Sequence, residues 1–233
     1  GGNTHGGILE VGGQWYVFYH RQCGTDEFSR QAMVAPIEVS VTEGPGGKVV
    51  ISEGEYTSEG FAINGLDPFG KYSAGIACWY TGPKVALHEY PNNIFFGSYI
   101  ASDYGTDDKF KAPYALRNNI NPVVNNTDGS IVGYKYFNFD STSGRKNLEM
   151  IINVVPEGVA GTITVMADRP WTSQGGVVLG SVDLREDMPA EPTDLHIAVH
   201  DLAKMSGKHA IYLKFSSDVK EKSICVLNTI KFK

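Results

Sequence analysis

Trp171 is the side chain whose type and setting point most directly to recognition. It lies within Asp168-Arg169-Pro170-Trp171-Thr172, and a tryptophan beside a proline in a turn-rich stretch is often solvent-facing, where its ring offers a flat surface for stacking. The competing reading is a loop tryptophan that plugs the end of a β-structure or an interdomain seam. The acids near the start (Glu10, Asp26, Glu27, Glu38, Glu43) sit in no motif that would set two carboxyl groups against a reacting bond. They read as solvated turn and strand charges. Cys23, Cys78 and Cys225 are widely spread, odd in number and free of CxxC or zinc spacing. That excludes a metal cluster and a dense disulfide framework, and leaves three small buried hydrophobes.

Such residues need a scaffold, and the patterning of the chain is that of strands. Ile8-Leu9-Glu10-Val11, then Gly12-Gly13, then Gln14 to Tyr19 reads as a hairpin, because two glycines supply the positive φ values of a tight turn. A run over 31–41, the turn Gly44-Pro45-Gly46-Gly47 and a run over 48–51 complete what resembles one propeller blade. One blade cannot bury both of its faces alone. Residues 53–91 are punctuated by Gly and Pro but carry Phe61, Phe69, Tyr72, Trp79 and Tyr80, too aromatic for a flexible linker. They are expected to form an extended connector packed on both neighbours, with Trp15 and Trp79 in a core or seam. From Asn93 onward, short strands recur at 94–96, 130–139, 147–155, 161–167, 177–184, 195–199, 210–215 and 224–232, with Ser98–Gly105 as an early sandwich strand. This spacing predicts a sandwich or jelly roll. The chain is therefore expected to be all-β: a blade remnant over 1–60, a packed connector over 61–92 and a jelly-roll β-sandwich over 93–233.

Bulk properties narrow the partners. A net charge of −6 argues against nucleic acid and anionic membrane surfaces, both of which call for Lys/Arg excess. The 27 Gly, 12 Tyr, 11 Phe and 3 Trp suit β-structure that presents flat side chains to a core or to a sugar ring. No run of about 18 apolar residues occurs, so no transmembrane helix is expected. The start Gly1-Gly2-Asn3 has no Met and is expected to be that of a processed or truncated product.

Two segments resemble bacterial proteins that join a glycoside hydrolase family 43 propeller to a family 6 carbohydrate-binding module. Gly2-Asn3-Thr4-His5-Gly6-Gly7 through Tyr19-His20-Arg21, continued by Phe28-Ser29-Arg30-Gln31, is similar to the last blade of that propeller. Gly129 to Phe139, with Ile76-Ala77-Cys78 upstream and Ser98 to Gly105 as a first strand, is similar to the module. The likeness covers nearly the whole chain. It implies a parent that hydrolyses xylan- or arabinan-type plant polysaccharide, as a β-xylosidase, α-arabinofuranosidase or endo-xylanase, in the periplasm or outside the cell. The implied partners are plant cell-wall polysaccharide or oligosaccharide and the propeller blades missing from this chain. The alternative is a purely structural sandwich that supports the propeller and binds no sugar.

The same resemblance decides which residues carry roles. Glycoside hydrolysis usually needs two opposed carboxyl groups, about 5–5.5 Å apart for retention or roughly 6.5–9.5 Å for inversion. In the family these come from earlier blades, so no catalytic residue is assigned and the chain alone is expected to be inactive. His5 is the one active-centre residue that maps, as a remnant; His20, Arg21 and Arg30 are read as structural, with an Arg able to bond carbonyls between blades. Tyr134 corresponds to the first aromatic of the module's loop-edge sugar site. Tyr136, two residues on, is expected on the same strand face. The second aromatic falls at Glu191-Pro192-Thr193-Asp194, where none is present, and Val226 stands where a ligand Asn belongs. A structural calcium is the cofactor that the family suggests, yet its Glu positions read Ile100 and Ser102, with Asp103 beside them.

Overall fold

The two glycines at 12 and 13 turn the first hairpin with φ of 61° and 84°, joining β1 (Gly6–Val11) to β2 (Gln14–Gln22). In this computed structural model, which describes residues 5–23, 30–83, 97–101 and 121–233, every described regular element longer than a 3-10 turn is a strand. Strand β3 (Arg30–Ile37) pairs antiparallel with β2 from Trp15↔Ile37 to Gln22↔Arg30, closing a three-stranded sheet in the order β1-β2-β3. Tyr16 is buried on one face of this sheet and Ala35 and Ile37 on the other, whereas every residue of β1 is exposed. A second hairpin, β4 (Val39–Val41) with β5 (Val49–Ile51), turns through Gly44-Pro45-Gly46-Gly47. This blade-like part therefore leaves an apolar edge, with Ile8, Leu9 and Val11 exposed.

The expected sandwich is present. Further strands are β6 (Tyr72–Ser73), β7 (Trp79–Thr81), β8 (Tyr99–Ile100), β9 (Val123–Asn126), β10 (Ile131–Asn138), β11 (Glu149–Pro156) and β12 (Gly161–Ala167). They are followed by β13 (Val177–Leu184), β14 (Thr193–Ala198), β15 (Lys208–Ser216) and β16 (Cys225–Phe232). One sheet runs β13-β12-β15-β10-β7, the other β14-β11-β16-β9-β8, with β6 also pairing β16. Alternation along the strands sends Ile163 and Val165, Ile152 and Val154, and Leu213 and Phe215 into one core. An aromatic cluster anchors it: Phe137 and Phe139 both meet Phe232 edge-on, at 5.5 and 5.3 Å between ring centroids. The strand expected over 94–96 and half of the one expected over Ser98–Gly105 lie outside the described residues.

The segment read as a connector does more than link. Its short strands β6 and β7 enter opposite sheets, pairing β16 at Ile230↔Tyr72 and β10 at Val132↔Tyr80. Sequence patterning missed both because two or three residues cannot display a period of two. The segment also lies along β10: Leu66 N donates to Tyr136 O at 2.8 Å and Asn138 N to Leu66 O at 2.9 Å. From the blade side, Ile100 N donates to Cys23 O at 2.9 Å.

Candidate functional site

Trp171 is 39% exposed on the loop between β12 and β13. Its neighbour Pro170 is buried, and its own carbonyl accepts hydrogen bonds from Gln174 N and Gly176 N, each 3.0 Å. The loop closes so tightly that a Cβ on Gly176 would lie 2.2 Å from Arg169 O and 2.9 Å from Trp171 O. At its root Asp168 Oδ1 lies 2.8 Å from His209 Nδ1, while His209 Nε2 is 3.0 Å from Ser206 O. The ring is thus presented by a braced backbone, which lowers the entropy lost on stacking.

The two tyrosines of β10 do not join it. Tyr134 is 0% exposed, its hydroxyl donating to Ala74 O at 3.2 Å. A ring with no accessible face cannot stack on a sugar, so its expected role is corrected to that of a core residue. Burial pushes its phenol far above the ordinary range. The expectation that Tyr136 shares its face is also corrected. The β10–β15 register shifts between Tyr134 and Phe137, so Phe137 takes the inward position and Tyr136 points outward, against Ile131, Met166, Ala210 and Tyr212. There Tyr136 donates to Glu55 Oε1 at 2.7 Å, and the ammonium groups of Lys208 and Lys135 lie 5.1 and 6.0 Å from its ring centroid. Its outward face is therefore shared with two cations.

Lys135 Nζ reaches the same Glu55 oxygen at 3.2 Å. Burial alone would raise the Glu55 pKa, but the hydrogen bonds from Tyr136 and Lys135 and the charges of Lys135 and Lys208 hold it below the ordinary 4.5. A carboxyl depressed by folding stabilises above its unfolded pKa, and that contribution is lost as pH falls through the lower folded value. Acidification below about pH 4.5 should therefore lower the urea midpoint of the wild type more than that of Glu55→Gln. The difference should stay under about 1 kcal/mol because the pair is partly exposed. Superimposable pH profiles of the two proteins would show that the tie contributes nothing.

His5 is exposed just before β1, its ring centroid 5.8 Å from that of His20. It is not gathered with Tyr136 or Trp171 by any described contact. Val226 is partly buried, and the extra residue of the β16 bulge is Asn228, whose Nδ2 donates to Asn153 Oδ1 at 2.9 Å. Trp79, expected in a core or seam, is 42% exposed on the edge strand β7. Ile100 is a buried aliphatic side chain where an acidic calcium ligand would stand, and Ser102 and Asp103 lie outside the described residues. Among the described residues no three His, Cys, Asp or Glu gather as a metal site. Of the three positions only Ile100 is described, and its aliphatic side chain offers calcium no oxygen ligand.

Sequence reasoning undervalued Arg21. It is buried between blade and sandwich, with Nε donating to Gln31 Oε1 at 2.9 Å, Nη1 to Tyr56 OH at 2.5 Å and Nη2 to Ala77 O. Its guanidinium carbon stands 5.0 and 5.3 Å from the ring centroids of Tyr80 and Tyr56. Burial pushes the Tyr80 phenol up to about 12, against the pull of Arg21, so the ring facing the cation is neutral. Gln31 Nε2 in turn donates to Gly75 O at 2.9 Å. The available signal was the phrase Tyr19-His20-Arg21 at a strand end, which marked a structural arginine but not its partners.

No family model matches the chain. Among curated proteins it is similar to a xylosidase/arabinosidase of Thermoclostridium stercorarium, 29% identical over 234 residues. That alignment covers 97% of this chain but 42% of the relative, so the chain spans less than half of that protein's length. Among solved structures it is similar to a glycoside hydrolase family 43 arabinoxylan arabinofuranohydrolase from Bacillus subtilis in complex with cellotetraose. The TM-score is 0.58 at 16% identity, over 100% of this chain and 41% of that one, a likeness of fold. A family 6 carbohydrate-binding module from Clostridium cellulolyticum in complex with xylose aligns over 72% of this chain and 99% of its own, with 15% identity and a TM-score of 0.44. The resemblance read from the motifs is borne out for the parent: over nearly all its length the chain is similar in sequence to part of a xylosidase/arabinosidase and in fold to part of a glycoside hydrolase family 43 arabinoxylan arabinofuranohydrolase.

Proposed function

We propose that this chain is the accessory part of a xylan- or arabinan-degrading glycoside hydrolase, and that its sandwich holds polysaccharide against the ring of Trp171. The exposure of that ring on a self-braced loop carries the reading. Holding substrate near a catalytic centre raises its effective concentration there. The exposed edge strand β1, with Ile8, Leu9 and Val11, suits continuation by further propeller blades, which would supply the catalytic carboxylates and a setting for His5. Such a parent acts in the periplasm or outside the cell; among the described residues no helix is long and apolar enough to cross a membrane. Titration calorimetry with xylo- and arabino-oligosaccharides tests the reading. Trp171→Ala should weaken binding about five- to a hundredfold, taking the roughly 1–3 kcal/mol of a base stacked on an aromatic ring as the scale for a sugar face, while shifting Tm little. An unchanged affinity would remove Trp171 from the site.

A structural role is the second reading, and the Arg21 seam favours it. An arginine held by three hydrogen bonds and two rings ties blade to sandwich without needing a ligand. If no oligosaccharide binds and loss of the seam unfolds the parent enzyme, this reading replaces the first.

A further inference from the structure

Asp168 is the corner at which the loop carrying Trp171 leaves β12, and its backbone there is unusual. Its φ is 64°, a left-handed value uncommon for any residue with a side chain. Arg169 N donates to Ala167 O at 2.7 Å across it, so the chain turns around one residue just before Pro170 and Trp171. That is the rarer, strained form of γ-turn. Such a conformation persists only where its surroundings hold it. Two ties from β15 do so. Asp168 N donates to Ala210 O at 2.8 Å, and Asp168 Oδ1 stands 2.8 Å from Nδ1 of His209. The imidazole is anchored in turn, with Nε2 3.0 Å from Ser206 O and its ring centroid 6.2 Å from that of Phe139.

The number of protons on His209 decides whether both of its contacts are hydrogen bonds. A carboxylate oxygen and a backbone carbonyl can only accept, and a neutral imidazole carries one N–H. It can serve Asp168 or Ser206 O, and its other nitrogen then turns a lone pair on an acceptor. The imidazolium carries two N–H groups and serves both, the bond to Asp168 being charge-assisted. Among the described residues no other charged group bonds the ring. Arg169 follows Asp168 in the chain and acts on the Tyr212 phenol. Asp140 Oδ1 accepts from Gly207 N at 2.7 Å, and Lys208 Nζ is paired with Glu59 Oε1 at 2.6 Å.

We infer that Asp168 and the protonated imidazole of His209 are a positioning pair for Trp171, so that the sandwich holds polysaccharide more tightly in mildly acidic than in alkaline solution. The inference rests on the reading of Trp171 as a sugar platform. With the proton in place the corner is fixed and the indole is presented in one position. Without it one contact opens, and apparent affinity falls with the fraction of molecules whose corner stays closed. The contribution is therefore present while the imidazole is charged and is lost as pH rises through its titration.

The test is calorimetry of the full chain with xylotetraose at about pH 5 and about pH 8, the interval in which an imidazole commonly changes charge. Wild-type affinity should fall about two- to tenfold from the lower to the higher pH, the scale of ordering one side chain on binding. Amide exchange over residues 168–176 should quicken with it. His209→Gln, checked for folding by circular dichroism, should bind at both pH values as the wild type does at the higher one. Asp168→Asn should instead bind at both as the wild type does at the lower. Asparagine tolerates a left-handed φ, and its amide can donate to a bare Nδ1 while Nε2 keeps Ser206 O. A merely structural pair would make the two variants behave alike. Wild-type affinity that is equal at both pH values, with binding still lost in Trp171→Ala, would overturn the positioning pair and leave the platform standing. A pH dependence that survives in both His209→Gln and Asp168→Asn would overturn the pair as well. Xylotetraose binding that is absent in the wild type, or intact in Trp171→Ala, would overturn the platform and the pair together.

Discussion

Replacing Arg21 by alanine should lower the unfolding free energy by about 3–5 kcal/mol, roughly a third to a half of what a domain of this size commonly has. The deletion strips Gln31 Oε1, Tyr56 OH and Ala77 O of their donor at once. The buried Ala77 O left without a partner costs about 1–3 kcal/mol, the part-buried Gln31 and Tyr56 groups cost less, and two cation–π contacts of roughly 0.5–2 kcal/mol are lost with them. Arg21→Lys should recover little, because one ammonium on a flexible stem cannot serve three acceptors held around a planar fork. The loss should be uneven across the molecule. Urea unfolding followed by Trp fluorescence should separate into two transitions, the blade-like part melting first, where the wild type shows one. A single transition within 1 kcal/mol of wild type would mean that the seam is held elsewhere.

Tyr134→Ala should also cost about 3–5 kcal/mol, the range for emptying a large buried aromatic site. Tyr134→Phe should cost only about 1 kcal/mol, the loss of the hydroxyl's bond to Ala74 O. The pair separates two roles that the family position confounds. A stacking tyrosine would lose sugar on truncation and little stability. A core tyrosine does the reverse, so Tyr134→Phe should bind xylo-oligosaccharides as wild type does. Loss of binding in Tyr134→Phe, with its stability intact, would contradict the burial described above.

Where patterning spoke, it did so through repetition. The Gly12-Gly13 hairpin and the strands around 149–156, 161–167, 177–184 and 208–216 were legible because alternation over six or more residues leaves a clear trace. The same rule misled at Tyr136. Period two is a property of an unbroken ladder, and one register shift between Tyr134 and Phe137 exchanges the faces. The seam was opaque for another reason. Arg21, Gln31, Tyr56, Ala77 and Tyr80 meet across up to 59 positions of sequence, and each alone has an ordinary surface or core reading. The exposure of Trp171 was readable because its cause, a proline and a tight glycine turn, is local. That of Trp79 was not, since it depends on where an edge strand docks.

The place of β16 in its sheet has a consequence for how the chain is made. It pairs with β11 on one side and with β6 and β9 on the other, so strands spanning residues 72–156 meet through residues 225–232. The sheet opposite can be completed once residues 208–216 have left the ribosome, because β15 joins β10 to β12. Until β16 follows, the inward side chains Met150, Ile152 and Val154 of β11 have only a half-built layer to cover them. Contacts this distant in sequence make closure slow. A nascent chain paused shortly before residue 225 would thus be a substrate for chaperones rather than a smaller version of the finished protein.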